Sequence, residues 1–175
     1  MANFDLYFPK EVQFEGSAYE DDPSDSGGCT KFGITLDDII EAHADLDHSG
    51  NFTCNDVKIM QRGDAAMILK KVYWDFFKAD QINNQSIAEF IVDSGLNQGR
   101  VLIAKWVQGI VGTDADGNFG DITIKAINDH FDQASFQKLY EDRLNRYNQI
   151  VSNKPSQRKF LAGWINRVNA LKYSS

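Results

Sequence analysis

The 175-residue sequence predicts a mainly α fold with one short extended and loop segment near its N-terminal end. Three observations carry this expectation. Apolar residues recur at helical spacing through residues 64–77 and 157–173. Start and stop signals bracket other segments, as with Thr35 followed by Asp38, and Ser86 followed by Gly99. Only residues 32–35 read as extended.

The elements follow in order. Phe4, Leu6, Tyr7, Phe8, Val12 and Phe14 make an apolar, aromatic start, and Pro9 suits the first turn of a short helix running toward Glu15. The chain then becomes polar: Glu15-Gly16-Ser17-Ala18-Tyr19, and further on Asp22-Pro23-Ser24-Asp25-Ser26-Gly27-Gly28-Cys29-Thr30-Lys31-Phe32-Gly33-Ile34-Thr35, poor material for a core. Thr35 and Asp38 form a capping arrangement for a helix over residues 36–44. Helix is expected again over 56–60 and 64–77, where Ala65, Ile68, Leu69, Val72 and Phe76 fall at core spacing and Trp74 packs inward.

Residues 86–99 read as a helix capped by Ser86 and stopped by Gly99, with Ile87, Phe90 and Ile91 as its apolar set. Asp93 and Asn97, four apart, then share another face, where they stand at the rim of a cleft, or Asp93 pairs with Arg100 or caps a turn. A helix over 101–111 leads to a tight turn at 112–123, which starts like a calcium loop but lacks the later ligands, so no ion is expected there. Helices over 122–130, 135–151 and 157–173 complete the chain. In the last, Phe160, Leu161, Trp164, Ile165, Val168 and Leu171 form a broad apolar stripe that places Trp164 in the core. The expected division is 1–90 and 91–175, packed as one compact unit, since no Pro-, Gly- or Ser-rich linker separates the halves.

Asp45-Leu46-Asp47-His48-Ser49-Gly50-Asn51-Phe52-Thr53-Cys54-Asn55-Asp56 follows the calcium loop of an EF-hand. Oxygen ligands alternate at Asp45, Asp47 and Ser49, glycine occupies the sharp turn, Asn51 offers its carbonyl, and Asp56 closes the loop where a longer glutamate is usual. The expected cofactor is structural Ca2+, weakly held because Asp56 is short; the same residues also suit a surface turn without an ion.

Composition narrows the class. Hydrophobic residues are 42% and charged ones 25%, which excludes disordered and fibrous chains. Acids outnumber bases 25 to 18, net charge -7, with no dense basic cluster, so nucleic acid is not an expected partner. No window is apolar for the length of a membrane span. Cys29 and Cys54 show no metal-ligand spacing and are expected as free thiols, pairing only if the glycine-rich loop lies against the second loop.

The polar stretch suits one chemistry. A glycan hydrolase needs an acid that still holds its proton near neutral pH, and apolar neighbours favour this; Glu15 has Phe14 and Tyr19. Asp22, Asp25, Thr30 and Thr35 supply carboxyls and hydroxyls to place a water or hold a sugar. The plainer alternative leaves Glu15 on a solvated helix end.

Glu-Gly-x-x-Tyr followed by Asp-x-Gly-Gly-x-Thr-x-x-Gly-Ile-Thr resembles the signature of the glycoside hydrolase family 108 lysozymes, peptidoglycan N-acetylmuramidases of phages and bacteria, some of them labelled secretion activator proteins. Tyr73-Trp74, the element Asp93 to Gly99, the turn 116–123 and Gly163-Trp164-x-Asn166-Arg167 are similar to further parts of that family, including its C-terminal peptidoglycan-binding region. Ser17 stands where a second glycine is usual.

The resemblance implies a compact lysozyme-like helical fold, peptidoglycan glycan strands as partner, no cofactor for catalysis, and Glu15 as general acid at the bond between N-acetylmuramic acid and N-acetylglucosamine. Asp25 is then the first candidate and Asp22 the second for the companion carboxylate, with Tyr19, Thr30, Thr35, Asp93 and Asn97 as substrate-binding residues. Met1-Ala2-Asn3-Phe4-Asp5 lacks the basic start and apolar run of a signal peptide. The chain is therefore expected to be made in the cytoplasm and to act in the periplasm or wall after holin-type release, lysis or dedicated export. The rivals are a calcium-stabilised wall-binding or secretion-accessory protein that does not cut glycan, and a lytic transglycosylase.

Overall fold

The computed structural model describes residues 1–21 and 28–174, and among them the architecture is mainly α with one two-stranded antiparallel sheet. Contacts divide the chain into two compact units, Asn3–Phe76 and a second formed by Met1–Ala2 with the chain from Phe77 onward. The change of unit falls after Phe76.

The first unit opens with α1, Phe4–Glu15. It begins earlier than Pro9 suggests because the Asn3 side chain caps it, accepting from the Asp5 N–H at 2.8 Å, and Pro9 lies inside the helix. Phe4 and Tyr7 anchor it against the fully buried Trp74, with ring centroids 5.5 and 5.6 Å away. Strands β1 (Thr30–Lys31) and β2 (Ile34–Thr35) pair with Thr30 opposite Thr35 and Lys31 opposite Ile34. The expected single extended piece is therefore a hairpin whose two-residue turn, Phe32-Gly33, has both φ positive, at 55° and 74°. That sign matches the twist of the paired strands.

Thr35 then caps α2 (Leu36–Ala42) through the capping box with Asp38, as its spacing indicates. Asp38 also accepts from the Tyr73 hydroxyl at 2.7 Å, which ties α2 to the chain after α4. Helices α3 (Cys54–Ile59) and α4 (Arg62–Leu69) follow, and α4 runs into a π-helical turn, Lys70–Trp74. Lys31 donates to the carbonyls of Lys58 and Met60 at the end of α3, at 2.9 and 2.7 Å. With the hairpin so placed on α3, Cys29 comes against Cys54 at a Cα–Cα distance of 5.8 Å and the two form a disulfide. The expectation of free thiols is overturned by this packing. Closing a loop across 25 residues contributes about 3.5 kcal/mol in the chain-entropy picture.

The second unit is built on α5, Gln85–Gln98, whose residues Ser86 to Gly95 are all buried. Its cap is Asn84 and not Ser86: the Asn84 side-chain Oδ1 accepts from the Ile87 N–H at 3.1 Å and from the Ser86 hydroxyl at 2.7 Å. Gly95 is required, since a Cβ there would lie 2.3 Å from the Phe77 ring. Around α5 lie α6 (Arg100–Val111), α7 (Asp121–His130), α8 (Gln133–Asn153) and α9 (Arg158–Ala170). Gln108 folds the turn before α7: its amide accepts from the Gly117 N–H and donates to Asp116, the Asn118 carbonyl and Thr123. Trp164 is half-buried, not core as its stripe suggests, stacked on Tyr147 at 5.0 Å beside a 43% exposed Phe160, because α9 packs chiefly on α8.

At the centre of this unit Asp93, 0% exposed, accepts from Arg143 at 2.7 Å and from Arg167 at 2.8 Å. Burial by itself would raise the Asp93 carboxyl, but the charges of Arg167 and Arg143 and their hydrogen bonds outweigh it and hold the group below its ordinary value. Because that folded value lies under the unfolded one of about 3.9, the carboxylate stabilises the fold above that pH, and the contribution is lost as pH falls through the folded value. Asp93→Asn should cost about 3–5 kcal/mol in urea unfolding at pH 7, leaving two buried guanidinium groups uncompensated. The difference from wild type should shrink as pH is taken below about 4.

Candidate active site

Glu15 is the last residue of α1, and the chain leaves the helix through Gly16 at φ 72°. Its side chain rests on the hairpin turn: a Cβ at Gly33 would come 2.7 Å from Glu15 Cγ and 2.9 Å from Cδ. Gly33 therefore answers two demands at once, a left-handed φ and room for the acid. The apolar shelter expected from Phe14 is not there, since Phe14 is 40% exposed and Glu15 is itself exposed. Among the described residues, the seat of Glu15 is the Gly33 backbone.

The hairpin carries the other candidates of this unit. Glu20 and Thr30 exchange both backbone hydrogen bonds, at 2.9 and 2.8 Å, and Thr30 lies opposite Thr35, so Glu20, Thr30 and Thr35 form one cross-strand row. Directly opposed residues share a face of a sheet. Thr30 makes no side-chain hydrogen bond among the described residues, whereas the Thr35 hydroxyl donates to Asp38 at 2.8 Å and is committed to capping α2. Thr35 is a structural residue here, not a free sugar-binding hydroxyl. Half-buried Tyr19 donates to Asp21 at 3.1 Å. Partial loss of hydration, then the bond and charge of Asp21, push its pKa above the ordinary phenol value, so it remains a neutral phenol. Asp22 and Asp25 lie outside the described residues. Glu20 was not singled out from the sequence; the available signal was its place five residues past Glu15, beside the turn into the loop.

The loop from Asp45 to Asp56 brings three acids together: one oxygen each from Asp45, Asp47 and Asp56 lie within 4.8 Å of one another. Its geometry is held by backbone donors. Asp45 accepts from the N–H groups of Ser49 and Gly50 at 3.0 and 2.9 Å, with Gly50 at φ 80°. Asp47 accepts from Ser49 at 3.0 Å and from the Asn55 amide at 2.6 Å, and these bonds, that of Asn55 foremost, hold its carboxyl below the usual range. Buried Asp56 accepts from the N–H of Leu46, Asp47 and Thr53, so it closes the loop and caps α3 together. Ser49 and Asn51 bond each other: the Ser49 hydroxyl donates to the Asn51 carbonyl at 3.1 Å. The three carboxylates fit a hard divalent cation; Ser49 and Asn51, as they stand, complete a turn.

Of the two candidates in the second unit, Asp93 departs from the rim reading. Asp93 is no rim residue, being enclosed between Arg143 and Arg167. Half-buried Asn97 donates its amide back to the Asp93 carbonyl at 2.8 Å, along its own helix.

A first helix that delivers one glutamate onto a small hairpin, within an otherwise helical scaffold, defines a lysozyme-like fold. The family description "Glycosyl hydrolase 108" matches residues 9–99, just over half of the 175 residues, and the chain belongs to that family. Residues 103–169 match a second description, "Predicted Peptidoglycan domain". No curated protein matches the chain. Among solved structures, SagA of Brucella abortus is similar in fold, with a TM-score of 0.77, 23% identity, and 98% of this chain and 97% of that chain covered. Family and domain together support a glycosidase of the peptidoglycan-hydrolase kind with peptidoglycan as partner.

Gly33→Ala should expose how far the acid depends on its seat. A left-handed alanine costs about 1 kcal/mol, and the new methyl must displace Glu15. Turnover of peptidoglycan is expected to fall by about 10²-fold, out of proportion to the small shift in unfolding midpoint.

Proposed function

We propose that the chain cleaves the β-1,4 bond between N-acetylmuramic acid and N-acetylglucosamine, with Glu15 protonating the glycosidic oxygen as the sugar C1 gains oxocarbenium character. The single observation that carries this reading is the lodging of Glu15 on Gly33, beside the hairpin whose Thr30 hydroxyl makes no bond among the described residues. The carboxylate that activates water, or attacks C1, is drawn from Asp25 or Asp22, with Glu20 added by its place beside Thr30. A separation of about 6.5–9.5 Å from Glu15 gives inversion, and about 5 Å gives retention. Tyr19 and Thr30 are the sugar-binding candidates retained from the sequence.

The substrate class puts the action in the periplasm or cell wall. The Cys29–Cys54 disulfide supports this, since such bonds persist in oxidising compartments. The acidic loop is proposed to take Ca2+ through Asp45, Asp47 and Asp56, with Ser49 and Asn51 turning toward the ion; the ion would neutralise three converging carboxylates and stiffen the loop.

The exposure of Glu15 favours one second reading, a wall-binding protein that does not cut. Sacculi incubated with the chain separate the two: new reducing ends support hydrolysis, anhydro-muramic ends indicate a lytic transglycosylase, and binding without either product supports the second reading. Glu15→Gln should keep its melting temperature and lose roughly 10²- to 10⁴-fold of glycan-cutting activity. Undiminished lysis by that variant removes Glu15 from the mechanism. Calcium at 100 times its Kd should stabilise wild type by about 2.7 kcal/mol, and Asp45→Ala with Asp47→Ala should abolish the effect; no calcium-dependent rise in Tm rejects the ion site.

A further inference from the structure

The second unit holds a groove of about 480 Å³ between α6 and the start of α8, lined by Lys105, Trp106, Gly109, Ile110, Lys138 and Asp142 among others. Its make-up is unusual for a chain of net charge -7. Two lysines face it against one acid, and Lys138 pairs with Asp142 one helical turn away, which leaves the charge of Lys105 uncompensated in the groove. Lys105 has no ion pair among the described residues. Its stem is laid over the turn at Gly117, where a Cβ would meet Lys105 Cε at 3.4 Å. Trp106 and Ile110, both half-buried, give the groove an apolar wall.

Gly109 is the second observation. It lies inside α6, where glycine weakens a helix relative to alanine. Gly95 of α5 has a steric reason, the Phe77 ring; at Gly109 nothing lies within 4 Å of a would-be Cβ. No neighbour requires a glycine here, and its position keeps the groove floor open.

We propose that this groove binds the anionic peptide stem of peptidoglycan, the short chain carried on the lactyl group of muramic acid. A free carboxylate meets Lys105, and its alanine methyls lie on Trp106 and Ile110. Charge complementarity selects a carboxylate-bearing ligand over a neutral glycan, and the indole wall selects one with small apolar groups beside its charges. The inference rests on the peptidoglycan partnership above and names the part of that partner which this unit holds.

The test is calorimetric titration of the full chain with a soluble N-acetylmuramoyl peptide and with the same sugar stripped of its peptide. Wild type should bind the peptide-bearing form and bind the stripped sugar at least tenfold more weakly. Lys105→Glu, which inverts the charge, and Gly109→Phe, which fills the floor, should each weaken binding by roughly tenfold or more. Gly109→Phe should melt at or above the wild-type temperature, so its loss of binding cannot be ascribed to unfolding. Equal affinity for the two ligands, no binding to either, or unchanged affinity in both folded variants overturns the groove. A wild type that neither retains nor cuts whole sacculi overturns the proposed function itself, whereas sacculus cutting with unchanged affinity in the variants rejects the groove alone.

Discussion

The contact between the Glu15 side chain and the backbone of Gly33 is the constraint around which the first unit is arranged. It needs a turn so tight that both of its residues take positive φ, and the first of them is a phenylalanine. Left-handed backbone at a bulky residue costs of order 1 kcal/mol or more and persists only where the surroundings hold it. Those surroundings are specific: buried Phe32 and Ile34, the Lys31 ammonium on the end of α3, the Thr35–Asp38 cap, and the bond from Cys29 to Cys54. The last three tie the hairpin to α2 and to both ends of α3, so the glutamate is positioned by a braced fragment and not by its own contacts alone.

The second unit is organised by a different interaction, one buried carboxylate between two guanidinium groups. Arg143 also donates to the Tyr147 hydroxyl and the Ser94 hydroxyl, so one side chain of α8 and one of α9 are referred to a single point on α5. Such a cluster specifies how three helices meet more than it adds to stability, because the charges lose much of their hydration on burial. The apolar contacts around it, with Phe90 stacked on Phe136 at 4.1 Å, supply the remainder.

The features visible in the sequence were those written in neighbouring residues. Thr35 and Asp38, three apart, announced their capping box, and the loop pattern of Asp45 and Asp47 closed by Asp56 matches three acids that meet at one point. The mainly α class followed from periodicity in the same way. What escaped depended on distance along the chain. The sequence holds Asp93 between a cleft rim and a local role, a pair with Arg100 or a turn cap, because its partners lie 50 and 74 residues away, and Cys29 looked free because Cys54 lies 25 residues on. The hairpin was read as one strand since phenylalanine is a poor announcement of a left-handed turn, and the seat of Glu15 is formed by a glycine with no side chain to signal it. Asp56 illustrates both cases: its place in the ligand pattern was legible, its second duty as the cap of α3 was not.

That double duty has a mechanical outcome. Asp56 fastens the end of the acidic loop to the first turn of α3, the same turn begins with Cys54, and Cys54 is bolted to Cys29, the immediate neighbour of Thr30. A tug on the loop is thus relayed to the hairpin by one sidechain clasp and one sulfur bridge.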